Sequence, residues 1–297
     1  MDRFVPPRTR TTPLLLAVLI CLCVARSAAA ADSKPVHANL SAAQIVEKHI
    51  AARGGLQAWH GVQAISWTGK MDAGGGNSVA RSEMYVKGPA GLADKKKLAQ
   101  AVPTDDKAED KQVQLPFTLS MERPRKSRFE LQFNGKTAVQ VYDGTNGWKL
   151  RPFLNRNDVE PFTADEMKSV AAKPGLDGPL LNYAAEGTKL DLEAVEPVDG
   201  HDAYKLKLTA KNGAVQHVWI DAQSFLDVKV EGSQRRMDGR MRNVWIYQRD
   251  FRSVQGVMIP FVLETAVDGY RGTHKTIIDK VTVNPKLDEG LFGKPRV

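Results

Sequence analysis

The sequence predicts a mainly β protein, built as one long antiparallel sheet with a few helices. Three observations carry that prediction. Residues 115–153 read as four consecutive strands: Phe117, Leu119 and Met121 alternate with Thr118 and Ser120, and Phe129, Leu131 and Phe133 alternate with Glu130 and Gln132. Period-two alternation over such short runs marks strands with one buried and one wet face. Asn134-Gly135, Asp199-Gly200 and Asn212-Gly213 are hairpin signals, because these residues accept the positive φ of a type I′ turn. Beyond residue 188 the alternation recurs almost to the end, at 190–194, 204–208, 215–220, 228–230, 244–251, 257–267 and 275–283.

Taken in order, the chain opens on a segment outside the fold. Arg3, Arg8 and Arg10 precede an apolar run at 14–24, and small residues follow at 27–31. This is the grammar of a secretory signal peptide over residues 1–31, cleaved near Ala30 or Ala31. The apolar run is short of the roughly 20 residues a membrane span needs. Both cysteines, Cys21 and Cys23, lie inside it, so residues 32–297 have neither disulfide nor thiol chemistry. Ile20 and Leu22 stand where a lipidated cysteine needs a small residue. The expectation is a soluble exported protein.

The 297 residues carry a net charge of +8. Removing the leader takes away Arg3, Arg8, Arg10, Arg26 and Asp2, and a mild basic excess remains. That suits anionic headgroups or envelope polymers, or serves solubility alone. Export and the lack of any binding motif exclude nucleic acid as a partner.

Ser41 with Gln44 predicts a capping box, and Leu40 with Ile45 a hydrophobic staple. Ile45, Val46, His49 and Ile50 share one helix face. Gly54-Gly55 ends this helix, and Leu56, Trp59 and Val62 add a short apolar turn that plugs the core. Residues 62–71 and 79–87 read as a hairpin. Residues 90–114 are rich in both charges and poor in large apolar groups, which predicts an exposed excursion. After the four strands, Thr163 with Glu166 caps a helix over 163–172 whose apolar side is thin: Met167, Val170 and Ala171. Residues 177–183 predict a second short helix. Pro260 requires an edge or a bulge. Leu287, Leu291 and Phe292 can pin the tail.

Motifs for chemistry are missing. The six histidines form no HExxH or short pair, so zinc has no support. The Asp143-Gly-Thr-Asn-Gly147 stretch lacks the later acid of a calcium loop and reads as a turn. No G-x-S-x-G elbow and no distinct carboxylate pair is present. The reading is a protein that is not an enzyme and needs no cofactor. What remains is shape. A long sheet with few helices curls to hide its apolar face. The candidate residues Phe117, Leu119, Phe129, Leu131, Phe133 and Trp148 then either line a cavity under a helix or fill it, since both cases share one alternation pattern.

The order Arg123-Pro124, Asp143-Gly144, Trp148 and Pro152, followed by a helix, resembles the periplasmic lipoprotein-carrier family typified by LolA and its relative LolB, and the outer-membrane lipoprotein-sorting proteins more broadly. Gly200 with Tyr204-Lys205-Leu206, Trp219-Ile220-Asp221, and Asn284-Pro285 to Phe292 agree in order. The resemblance implies an unclosed antiparallel β-barrel, a half-barrel covered by a helical lid over an apolar cavity. It implies a periplasmic binder or carrier of lipid or lipoprotein acyl chains. The family's lid-closing arginine falls on Arg123, with Met167 and Val170 on the lid. Such a guanidinium can donate to helix-end carbonyls. The chain departs from the family in its Gly54-Gly55…Trp59 unit, its charged excursion, and its lack of the lipidated cysteine of a LolB-type acceptor. A regulatory module that binds an inner- or outer-membrane partner protein is the rival expectation.

Overall fold

The computed structural model describes, besides Met1, residues 39–73, 113–152, 156–173, 175–237, 239–270 and 272–296. The expected signal peptide, the expected strand at 79–87 and most of the charged stretch at 90–114 lie outside these residues.

Thirteen strands form one antiparallel sheet: β1 (Ala64–Ala73), β2 (Val113–Glu122), β3 (Lys126–Phe133), β4 (Lys136–Tyr142), β5 (Gly147–Arg151), β6 (Arg156–Pro161), β7 (Lys189–Val198), β8 (His201–Thr209), β9 (Val215–Asp221), β10 (Asp227–Met237), β11 (Arg240–Val254), β12 (Val257–Val267) and β13 (Thr273–Val283). Their spatial order is β6-β5-β4-β3-β2-β1-β13-β12-β11-β10-β9-β8-β7. Two meanders therefore join side by side through β1 and β13, with Ile65 opposite Val283. Among the described residues, strands β6 and β7 are the two edges, so the sheet is an unclosed barrel.

The tight turns predicted from sequence set the register. Asn134 (φ 49°) and Gly135 (φ 71°) make the two-residue hairpin that opposes Phe133 to Lys136. The Asp143 carboxylate accepts from the backbone N–H groups of Thr145 and Asn146 at 2.7 and 2.6 Å, closing the next turn. Val113 and Gln114, expected in the exposed excursion, open β2. Strand β6 was not expected, because Val159 is the single large aliphatic residue in Arg156–Pro161. Pro260 lies in an interior strand. The β12–β13 pairing begins only at Val262, so no ladder bond toward β13 is lost at the proline.

Helix α1 (Ala42–Ala52) starts on the expected capping box: Ser41 Oγ accepts from Gln44 N, and Gln44 Oε1 from Ser41 N. Such a cap contributes about 1 kcal/mol. Ile45, Val46 and His49 are buried against Tyr204, Leu206, Val218 and Ile220. Gly54 ends the helix at φ 108°, where a Cβ would lie 2.1 Å from the carbonyl oxygen of Gly256. Glycine is therefore required both for the turn and for the close approach to the β11–β12 hairpin. Helix α2 (Leu56–His60) buries Trp59 in a second cluster with Val62, Ile65, Phe117, Leu131, Ile259 and Phe261. Both clusters lie on one face of the sheet, here the inner face, and Ile50 packs against both.

Helix α3 (Ala164–Ala172) is capped by Thr163 and Glu166 as predicted. The second short helix is not formed. Residues 176–187 are consecutive turns, because Gly178 takes φ +65° beside Pro179 and breaks the helical run. They still bury Leu180 and Leu181. On the outer face, Leu287, Leu291 and Phe292 pack over Val139, Val141, Trp148 and Leu150.

Candidate functional site: a half-covered apolar row and a tethered helix

Two rows of inner-face side chains run across β1, β2 and β3, and they differ in cover. In one, Phe117 opposes Leu131, and both are buried. In the next, Trp67 opposes Leu119, which opposes Phe129, and all three are half-buried. The rings of Phe117 and Phe129 stack with centroids 6.1 Å apart and link the two rows. Val281 of β13 extends the second row on the far side of Trp67. It crosses three inter-strand spacings, about 14 Å. Trp67 Nε1 is buried there with no hydrogen-bond partner among the described residues. A buried donor left unmatched costs about 1–3 kcal/mol, and an acceptor brought into the row would remove that cost.

Helix α3 is held near this face by polar ties. Lys149 and Arg151 share the inner side of β5 with Gly147 and are buried. Lys149 Nζ donates to both carboxylate oxygens of Glu166 at 2.6 Å. The same carboxylate accepts from the backbone N–H of Thr163. Gly147 lets Phe162, just before the cap, lie against β5, since a Cβ would meet its ring at 2.0 Å. At the other end, Arg125 donates to the carbonyl of Ala171 at 2.6 Å. Met167 and Val170 are half-buried and join none of the apolar clusters among the described residues.

Arg123 ties three pieces of chain together. Its Nε donates to Val62 O at 2.7 Å, and one terminal nitrogen to Trp59 O at 3.0 Å. Both terminal nitrogens donate to the Asp177 carboxylate, which also accepts from Asn182. The helix-end carbonyl it reaches thus belongs to α2, and its link to the segment after α3 runs through a carboxylate. Asn284 completes the arrangement by accepting from Gln63 N at 2.7 Å and donating to Gly61 O at 2.9 Å. Beside Arg123 lies a polar groove of about 340 Å3 lined by Gln63, Ala64, Glu122, Asn284, Pro285 and Leu287. Arg123 therefore stands at a solvent-reached rim.

Of the six expected cavity residues, the structure brings Phe117, Leu119, Phe129 and Leu131 together. Phe133 shares their face but lies at the strand end, 40% exposed. Trp148 is on the opposite face, paired with Val141 and covered by the tail. Alternation within each strand was read correctly, but parity was not carried through the turn at 143–146. Tyr142 opposes Gly147, which sends Lys149 inward and Trp148 outward.

Under α1 sits a separate polar knot. Arg53 donates to Asp227 at 2.9 Å and to Met258 O at 3.0 Å, and Gln248 donates to the other Asp227 oxygen. The His49 ring nitrogen Nδ1 donates to Phe225 O at 2.9 Å. Burial pushes the His49 imidazole below its usual value and outweighs the pull of Asp227. Burial also pushes the Asp227 carboxyl up, but Arg53, His49 and Gln248 together hold it below the usual carboxylate range. This knot fastens α1 rather than forming a reaction centre. Among the described residues, no group of three or more His, Cys, Asp or Glu is placed to hold a metal ion, and no helix is long and apolar enough to cross a membrane.

An open antiparallel sheet that carries its helices and its tethered segment on one face defines the class: a half-barrel with a covered inner side. More particularly, the fold is similar to that of a solved LolA superfamily structure. A LolA superfamily protein from Nitrosomonas europaea superposes with a TM-score of 0.50 at 12% identity, over 86% of this chain and 98% of the other. A DUF1329 family protein from Desulfovibrio piger gives 0.50 and 12%, over 85% and 97%. No family model and no curated protein matches the chain by sequence.

Proposed function

We propose that this protein is an exported, periplasmic binder or carrier of acyl chains, taken from a lipid or a lipoprotein, in envelope lipid handling or outer-membrane lipoprotein sorting. The observation that carries the proposal is the half-covered row of Trp67, Leu119 and Phe129 beside a fully packed core, with a helix on the same side of the sheet fastened by the Lys149–Glu166 ion pair and the Arg125–Ala171 hydrogen bond. Apolar surface of this kind gains about 25 cal/mol for each Å2 removed from water, and an acyl chain laid along the row would supply that burial. In this reading Phe117, Leu119, Phe129 and Leu131 form the wall, and Phe133 stands at the mouth. Helix α3, with Met167 and Val170, and residues 176–187 form the lid. Arg123 and Lys149 are its fastenings. Entry of a chain displaces the lid, breaks the Arg123–Asp177 and Lys149–Glu166 contacts, and so couples occupancy to lid position. No catalytic step is required.

Native mass spectrometry of protein purified from periplasm, together with titration of a fluorescent fatty-acyl probe, tests the reading. A co-purified lipid mass and saturable probe binding, weakened by Phe129→Ala, are expected. Ligand-free protein that also ignores the probe would overturn it.

A further inference from the structure

We infer that the tip of the β10–β11 hairpin is a docking element for anionic membrane surfaces. The ladder from β9 to β10 is paired only at Asp227–Val230, and β12 meets β11 only from Val244 onward. Among the described residues, the outermost strand pairs of the hairpin are its own: Arg235 with Arg242, Arg236 with Met241, and Met237 with Arg240. These three pairs project past the sheet by about 10 Å at strand rise. The segment 234–242 reads QRRMDGRMR, four arginines against one aspartate.

Elsewhere on the sheet the arginines hold carboxylates. Arg53, Arg123, Arg151 and Arg249 each hold a carboxylate. Arg236, Arg240 and Arg242 stand in no ion pair among the described residues. Arg242 lies over the Tyr270 ring at 5.8 Å, and Arg236 reaches Gly239 O at 3.5 Å. Apolar side chains alternate with the arginines on both faces of the ribbon. Met241 is 52% exposed opposite Arg236. On the other face, Met237 and Tyr270 pack toward Val244 and Val267.

A thin ribbon tip of this composition fits a bilayer better than a protein. A stable protein interface takes about 800 Å2 from each partner, more than three residue pairs present. At a bilayer, guanidinium groups bind phosphates bidentately while the methionine enters the boundary between headgroups and acyl chains.

Flotation of the full chain with vesicles of phosphatidylcholine alone, and of phosphatidylcholine with phosphatidylglycerol, tests this. Arg236 and Arg240 are exposed, so the Arg236→Gln/Arg240→Gln variant should melt like the parent. The parent should float with the anionic vesicles only, and salt should weaken it. Near an anionic surface each arginine contributes about fivefold in affinity, so the double variant should bind roughly 25-fold more weakly. Met241→Ser should also reduce flotation, while acyl-probe binding in solution stays unchanged in both variants. Equal flotation with both vesicle types, or an unchanged double variant, would overturn the inference. Tighter binding to polyglutamate than to vesicles, indifferent to Met241→Ser, would also overturn it and point to an acidic protein.

Discussion

Two stretches of the same inner face differ sharply. Over β8 and β9, Leu206, Val218 and Ile220 are fully buried beneath α1. Over β1 to β3, Trp67, Leu119 and Phe129 keep part of their surface. The strands are alike in alternation and apolar content. What differs is the helix. Helix α1 presents Ile45, Val46, His49 and Ile50, a continuous apolar face with one buried imidazole. Helix α3 offers little beyond Met167 and Val170, and is fastened by Lys149 and Arg125. The sheet surface becomes full core where a helix lays a continuous apolar face on it.

The largest test of that contrast is a matched pair of truncations. Leu206→Ala should destabilise by about 4 kcal/mol, because the site is packed on all sides. Leu119→Ala should cost only about 1 kcal/mol, since its surface is partly wet already. Urea denaturation reads both, and equal losses would erase the distinction. Next, Arg123→Leu removes charged hydrogen bonds contributing about 2 kcal/mol. Hydrogen exchange should accelerate mainly in residues 176–187, with faster release of the acyl probe. Global unfolding with affinity unchanged would make Arg123 purely structural.

The α1 side should also respond to acid. The folded protein holds His49 below its usual pKa, so the unfolded chain binds the proton first. The stability that His49 contributes is complete above the ordinary histidine value and is lost as pH falls through it, by at most about 1.4 kcal/mol per pH unit. Asp227, held low, adds a second loss in the carboxylate range. Denaturation midpoints measured from neutral to mildly acidic pH should fall, and His49→Gln should flatten the first part. The smallest effect concerns Trp67→Phe. Stability should change by under about 1 kcal/mol, while affinity for an acyl ester drops several-fold relative to an alkane. Equal loss for both ligands would mean that Nε1 donates to neither.

The fold was legible wherever apolar residues alternate. The strands of residues 115–153, both capping boxes and the tail anchored by Phe292 follow from local chemistry that acts over a few residues. Strand β6 and the outer reach of β10 and β11 were not legible by that signal, because arginine, asparagine and aspartate fill them. Their ladder comes from neighbours rather than from burial. Asp238-Gly239 was an available turn signal for the long hairpin. The candidate site was legible only in part. Phe117 to Leu131 follow from alternation, but Trp148 demanded register across a four-residue turn. Asp177, Lys149 and Asn284 gain their roles from contacts between distant parts of the chain, and nothing in their own neighbourhoods marks them.

The seam between β1 and β13 is the one place where strands from opposite ends of the described chain pair. Every other ladder joins consecutive strands. Most of these ladders close over short turns, whereas the seam must wait for nearly the whole described chain to come together, the slow kind of contact in folding. Helix α1 precedes β1 in the chain, yet it covers β8 and β9 of the other meander. Each half thus depends on the other for its cover. Residues 176–187 tie the two halves, because opening them would give up the Arg123–Asp177 contact and the burial of Leu180 and Leu181.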